Sequence, residues 1–189
     1  MNFKLEWPES PDLTGCAVKG GADKKEWLAC PLNPQRPAGL RHNCGRRIWS
    51  ESLLVEVKHN KRVQTLIRTW GCDVVIHESL ATEFERHGIT GYRMQPAAVR
   101  FRDGSLCHNY KERIATGWAG VARAESGIHV AEDCPACFWK HYTPLQDPEQ
   151  LIDWSQWTGE DFFRVWPLPN FVLITKRVVE LLQALTKRG

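Results

Sequence analysis

The sequence lacks any apolar run near the roughly 18 residues that a membrane-crossing helix needs. Its opening residues, Met1 to Pro8, lack the apolar core of a secretory signal. The expectation is a cytoplasmic protein with no membrane partner. Catalytic signatures are missing too. There is no G-x-S-x-G elbow, no H-E-x-x-H pair and no glycine-rich phosphate loop. His59, His77, His87, His108, His129 and His141 are scattered, and no nucleophile–base arrangement is legible among them. Cys134-Pro-Ala-Cys137 resembles half of a zinc-deaminase signature, but the H-x-E half is absent. These absences predict a protein that is not an enzyme.

What is present sets the class. The chain has 189 residues, 42% apolar and 25% charged, which is a globular composition long enough for a core. We read residues 1–189 as one domain with three parts. Residues 1–50 form a loop-rich knuckle segment, 51–130 a first strand/helix half, and 131–189 a second knuckle with its own strand/helix half.

Charge is unevenly spread. Arg36, Arg41, Arg46, Arg47, Lys58, Lys61, Arg62 and Arg68 face only Glu51 and Glu56 in the same stretch. Glu132, Asp133, Asp147, Glu149, Asp153, Glu160 and Asp161 face Lys140 alone. Such separation steers a charged partner, unless the two regions simply face each other or water.

In a reducing compartment the seven cysteines read as thiols or metal ligands rather than disulfides. Cys134 and Cys137, with Pro between them, form a tight knuckle whose spacing suits a tetrahedral zinc. The other reading is a reduced buried pair. Further ligands would be Cys44, with Cys30 or His42. One structural zinc would then clip the first 50 residues, which have too few apolar side chains to hold themselves, onto the second half. A redox role is disfavoured, because Phe138 to Tyr142 reads as extended and leads to Pro144, not into a helix.

Coarse secondary structure is α+β, or mixed α/β. A strand is expected over residues 52–58, and 62–68 fits a short helix or a strand. Asp73 to Ile76 reads as a buried strand. A helix follows from His77-Glu-Ser79, with Leu80, Phe84 and His87 on one face and Gly88 closing it. Ala97 to Phe101 is a second strand, stopped at Asp103-Gly104. Residues 104–132 are ambiguous, with 117–121 as strand or tight packing and 127–130 as strand. Phe171 to Ile174 is a strand, Thr175 a helix cap, and Val178, Val179, Leu181, Leu182 and Leu185 a helical stripe. Val74-Val-Ile76 aligns with Val172-Leu-Ile174, Leu80 with Val178, and Phe84 with Leu182. This suggests two similar strand–turn–helix units.

A repeat predicts a counterpart for the knuckle, and Arg41-His-Asn-Cys44-Gly45 is the candidate. It has the Cys and Gly of C-x-x-C-G, with Arg41 in place of the first Cys; the later knuckle has Phe138 in place of the Gly. Together with Phe84-Glu-Arg-His-Gly-Ile-Thr-Gly-Tyr92, Pro96 to Phe101 and the ending Asp161 to Thr175, this pattern resembles the double-CXXCG-motif immunity family of myxobacterial type. The resemblance implies a cytoplasmic protein that binds and neutralises a cognate bacterial toxin.

The partner surface expected from the residues is 145–166. There Asp153, Trp154, Trp157, Glu160 and Asp161 combine aromatic anchors with acids suited to a basic partner, such as a nuclease toxin. The bland reading of this segment is a long loop pinned by its aromatics. The alternative function is a zinc-ribbon-like module that binds nucleic acid through residues 36–68, and steep salt dependence would mark it.

Overall fold

The computed structural model describes residues 17–18, 29–30, 33–37, 53–57, 64–69, 73–133, 135, 140–168 and 171–186; up to residue 37 the description covers the backbone alone. The fold is α+β. The described strands are β1 (Ala17–Val18), β2 (Ala29–Cys30), β3 (Asn33–Pro37), β4 (Leu53–Glu56), β5 (Leu66–Arg68), β6 (Val74–His77), β7 (Tyr92–Arg100), β8 (Leu106–Ala115), β9 (Gly117–Val121), β10 (Val130–Asp133), β11 (Lys140–Tyr142), β12 (Phe162–Trp166) and β13 (Leu173–Ile174). The described helices are α1 (Glu78–Arg86) and α2 (Lys176–Thr186). No helix among the described residues is long and apolar enough to cross a membrane.

Six strands form the larger sheet, in the order β1-β4-β7-β8-β6-β5. β4 runs parallel to β7, and the other pairings are antiparallel. A second sheet has the order β13-β12-β9, with β9 parallel to β12. Only Thr116 separates β8 from β9, so one extended stretch serves both sheets. Hairpins β2–β3 and β10–β11 complete the strands.

Residues 62–68, open between helix and strand in the sequence, contribute β5. The β-branched run Val74-Val75-Ile76 is a central strand, as expected of a buried apolar run. His77 ends it and caps α1, its ring nitrogen accepting the Ser79 N–H at 3.2 Å. Leu80, Ala81 and Phe84 are buried on one face. His87, placed on that face by spacing, is instead the exposed cap residue. Gly88 takes φ +57, and the Ile89 N–H reaches the Phe84 carbonyl at 2.9 Å, which is a Schellman stop.

β7 begins at Tyr92, well before the expected Ala97. Pro96 hid its first half. Along 92–96 β7 pairs only with β8 among the described residues, so the missing Pro96 N–H falls on an open edge. β12 was read as part of an exposed segment and is the middle strand of its sheet. Gly127 belongs to a turn, with φ +83 after the 3₁₀ stretch Ala124–Ser126, and not to a strand.

Among the described residues three apolar cores result. The first draws on β4 through β8, with Val55, Val75 and Val99 fully buried. The second gathers α1, α2 and one face of the larger sheet around Phe84, Ala115, Phe162 and Val178. The third holds Ala119, Leu151, Phe163, Val165 and Leu173. Adjacent residues of a strand face opposite ways. Phe162 therefore enters the second core while Phe163 enters the third. The strand–helix pieces of both halves meet in the second core, where Leu80 of α1 and Val178 of α2 share one cluster.

Candidate partner surface and metal knuckle

The chain from 143 to 161 crosses from β11 to β12 without a regular strand. It is held at intervals by its own polar residues. The Ser126 carbonyl accepts the N–H groups of Gln146 and Asp147 at 2.9 and 3.1 Å. The Asp147 carboxylate accepts the Glu149 N–H at 2.9 Å and caps the 3₁₀ turn Pro148–Gln150. Leu151 then plunges into the third core.

The next turn carries the candidate contacts. Asp153 accepts from the Ser155 hydroxyl at 2.7 Å, the Ser155 N–H at 3.0 Å and the Gln156 amide at 2.8 Å. The Ser155 hydroxyl first, then the Gln156 amide, hold its carboxyl below the usual range. Trp154 is 42% exposed and stands edge-on to Trp157, ring centres 5.5 Å apart. Trp157 is half-buried. It leans on Phe163 at 5.6 Å and donates its indole N–H to the Glu160 carbonyl at 3.2 Å.

This turn docks on the outer edge of β9. Thr158 N–H donates to the Trp118 carbonyl at 3.0 Å, and Trp118 N–H donates to the Thr158 hydroxyl at 3.2 Å. Further along, Val121 N–H donates to the Gln156 side-chain oxygen at 3.3 Å. The Gln156 side chain lies over Gly120 so closely that a Cβ there would stand 2.0 Å from its oxygen. A bare sheet edge is a liability in water, and this turn covers it. The Glu160 carboxylate takes the Thr158 hydroxyl and stays half-buried.

Asp161 does not belong to the surface. It is 6% exposed and accepts from Thr90 N–H at 3.0 Å and the Thr175 hydroxyl at 2.6 Å, with the Arg177 guanidinium at 3.4 Å. Thr175 was expected to cap α2. Its carbonyl does accept the Val178 N–H at 3.0 Å, but its hydroxyl is turned to Asp161. Phe162 and Phe163 are likewise interior.

Trp118 and Val121, 43% and 54% exposed, were missed as surface residues. Their spacing is not strand-like, because Gly120 at φ +68 bulges β9 and turns both toward solvent. That glycine was the available signal.

Of the proposed metal ligands, Cys44, Cys134 and Cys137 lie outside the described residues, as does His42. Cys30 is placed only by its backbone, in β2. Among the described residues no group of three His, Cys, Asp or Glu could hold a metal ion. Cys107 is a free thiol packed against the first core, and His108 is exposed. The strands flanking the knuckle are described. β10 and β11 pair antiparallel, ending with Asp133 opposite Lys140, whose charges meet at 2.5 Å. No family model matches this chain, and no curated protein matches it.

Proposed function

We propose that this protein is a stoichiometric inhibitor, an immunity protein that binds a cognate bacterial toxin in the cytoplasm. The carrying observation is the turn at 153–158. A polar network ties it to β9, and it presents Trp154 next to Asp153, with Glu160 just beyond it and Trp118 on the strand it covers. Exposed indoles on a preorganised turn are the raw material of interface hot spots. The acids around them, with Asp147 and Glu149 further out, suit a basic partner such as a nuclease toxin. Inhibition is by occlusion, with an indole filling a pocket on the toxin while carboxylates face its cationic rim.

Two finer features of the resemblance have support. The paired strands β5–β6 lead into α1, and the paired strands β12–β13 lead into α2, as a duplicated unit requires. The C-x-x-C spacing of Cys134 and Cys137 suits a zinc knuckle, to be completed by Cys44 and by Cys30 or His42. One zinc would staple the N-terminal segment to the hairpin without taking part in toxin binding.

Co-expression with the cognate toxin tests the function. Protection by the parent, and loss of protection by a folded Trp118→Ala/Trp154→Ala double variant, is expected. Equal protection by both proteins removes this surface. Tight binding to bulk DNA or RNA that collapses with added salt would favour the nucleic-acid reading instead.

A further inference from the structure

β9, Gly117-Trp118-Ala119-Gly120-Val121, is an outer strand of the smaller sheet and carries no charged side chain. An outer strand is a template for pairing with another chain, and proteins guard it with charge, proline or shortness. Other edges among the described strands are guarded in these ways. β5 ends in Arg68, and β10 carries Glu132 and Asp133. The part of β7 beyond β4 holds Arg93 and Pro96, and β13 is only two residues long. On β9 the side chains facing water are Trp118 and Val121, 43% and 54% exposed. Aromatic and β-branched side chains favour a neighbouring strand rather than repel it.

The backbone groups on the outer side of β9 are engaged, but by a turn and not by a strand. The Trp118 N–H goes to the Thr158 hydroxyl at 3.2 Å, and the Val121 N–H goes to the Gln156 side-chain oxygen at 3.3 Å. The Trp118 carbonyl takes the Thr158 N–H at 3.0 Å. Both N–H donors of β9 on this side therefore end on side chains. Asp153 sets Gln156 in place by accepting its amide at 2.8 Å. Gly120 leaves room for it, since any Cβ there would collide with the Gln156 side chain. Gln156 and Thr158 are themselves exposed, so the turn is the outermost layer at this edge.

We propose that the turn 153–158 is a latch that keeps β9 from pairing with β9 of a second copy of this chain. The Gln156 and Thr158 side chains stand in for the backbone of a neighbouring strand and occupy the donors such a strand would use. The occupant held off is a second copy, because this edge is suited to itself. Antiparallel pairing about a two-fold axis puts the same strand on both sides, and with no charge on β9 no like charges meet. The Trp118 and Val121 side chains of both copies would then lie along one seam. The latch rests on the bonds of this edge and does not depend on the immunity reading.

The test is sedimentation velocity of the full chain over a range of concentrations, with circular dichroism and thermal unfolding as checks of folding. The double variant Gln156→Ala/Thr158→Val changes two exposed side chains and should fold. It should gain an association that the parent lacks, its mass moving toward the dimer as concentration rises. Adding Val121→Lys to the double variant puts a charge on the bared edge and should abolish that gain. If the double variant does not fold, Gln156→Ala alone is read in the same way, with and without Val121→Lys. An unlatched variant that associates no more than the parent overturns the proposal. So does a gained association that Val121→Lys leaves intact, because it would then run through another surface.

Discussion

Asp161 and Thr90 bind each other through three hydrogen bonds. Thr90 donates its N–H and its hydroxyl to the Asp161 carboxylate at 3.0 and 3.3 Å, and the Asp161 N–H donates to the Thr90 hydroxyl at 3.2 Å. The link fastens the stop of α1 to the start of β12. The same carboxylate reaches on to Thr175 and Arg177 at the start of α2. One side chain thus ties both helices to the central strand of the smaller sheet.

Asp161→Ala should therefore unfold more easily by about 2–4 kcal/mol, since it strips several bonds from a buried charged acceptor. Urea denaturation reads this directly. The folded fraction should keep its affinity for the toxin, because the carboxylate faces inward. A normal stability with lost affinity would return Asp161 to the partner surface.

Gly91 makes a second prediction. At φ +80 it lies so close to β12 that a Cβ would stand 2.2 Å from the Phe162 carbonyl oxygen. Gly104 has nearly the same φ, +82, with nothing within 4 Å. Gly104→Ala should cost about 1 kcal/mol from backbone strain alone. Gly91→Ala should cost clearly more, on the order of 3 kcal/mol, or fail to fold. Equal losses would mean that the close approach to β12 does not constrain the fold.

Toxin binding should depend on the two exposed indoles. Trp154→Ala and Trp118→Ala are each expected to weaken binding by about 2–4 kcal/mol, mainly through faster dissociation. Asp153→Asn and Glu160→Gln should chiefly slow association and flatten its salt dependence. Stopped-flow association and surface-plasmon dissociation rates separate the two effects.

Glu112 sets a pH dependence. Its carboxyl is pushed above the ordinary 4.5, chiefly by burial, with the Gln95 amide opposing and the charge of Asp73 adding to the rise. The Arg93 and Arg113 charges act weakly the other way. The folded protein thus holds this proton more tightly than the unfolded chain. Its contribution favours folding at low pH and is lost as pH rises from 4.5 through the folded-state value. Glu112→Gln keeps a carbonyl for Gln95 and should be more stable than the parent at pH 7, the gap closing below about pH 4. Unfolding curves at both pH values decide it; a constant gap would show that Glu112 is not the titrating group.

Elemental analysis of the purified protein should find about one zinc per chain. Chelation, or Cys134→Ser with Cys137→Ser, should lower the melting temperature and leave α1 and α2 intact by circular dichroism, because both helices are held by the apolar side chains of the second core. A metal-free parent with the same melting temperature in chelator would leave the cysteines as simple packing groups.

Parts of the fold were legible in the sequence for local reasons. Val74-Val75-Ile76, followed by Leu80 and Phe84 at helical spacing and then Gly88, carries strand, helix and stop within its own residues. Lys176 to Thr186 is equally self-contained, with its apolar stripe facing one way. β12 was not legible. Phe162-Phe163-Arg164-Val165-Trp166 is apolar on both faces, and such a run beside acids and tryptophans looks like an exposed anchor segment. Only pairing with β9 and β13 makes it central.

Asp153 and Asp161 mark where sequence ended and tertiary structure took over. By itself the sequence determined that 147–161 would be acidic, tryptophan-bearing and without a regular element. It did not determine which carboxylate would meet a partner. Asp153 bonds to Ser155 and Gln156, its near neighbours, so its turn forms locally and stays at the surface. Asp161 bonds to Thr90, 71 residues away, and that contact exists only once β12 lies against the end of α1. A buried carboxylate is tolerated only where donors surround it, and those donors come from segments that meet only in the folded chain.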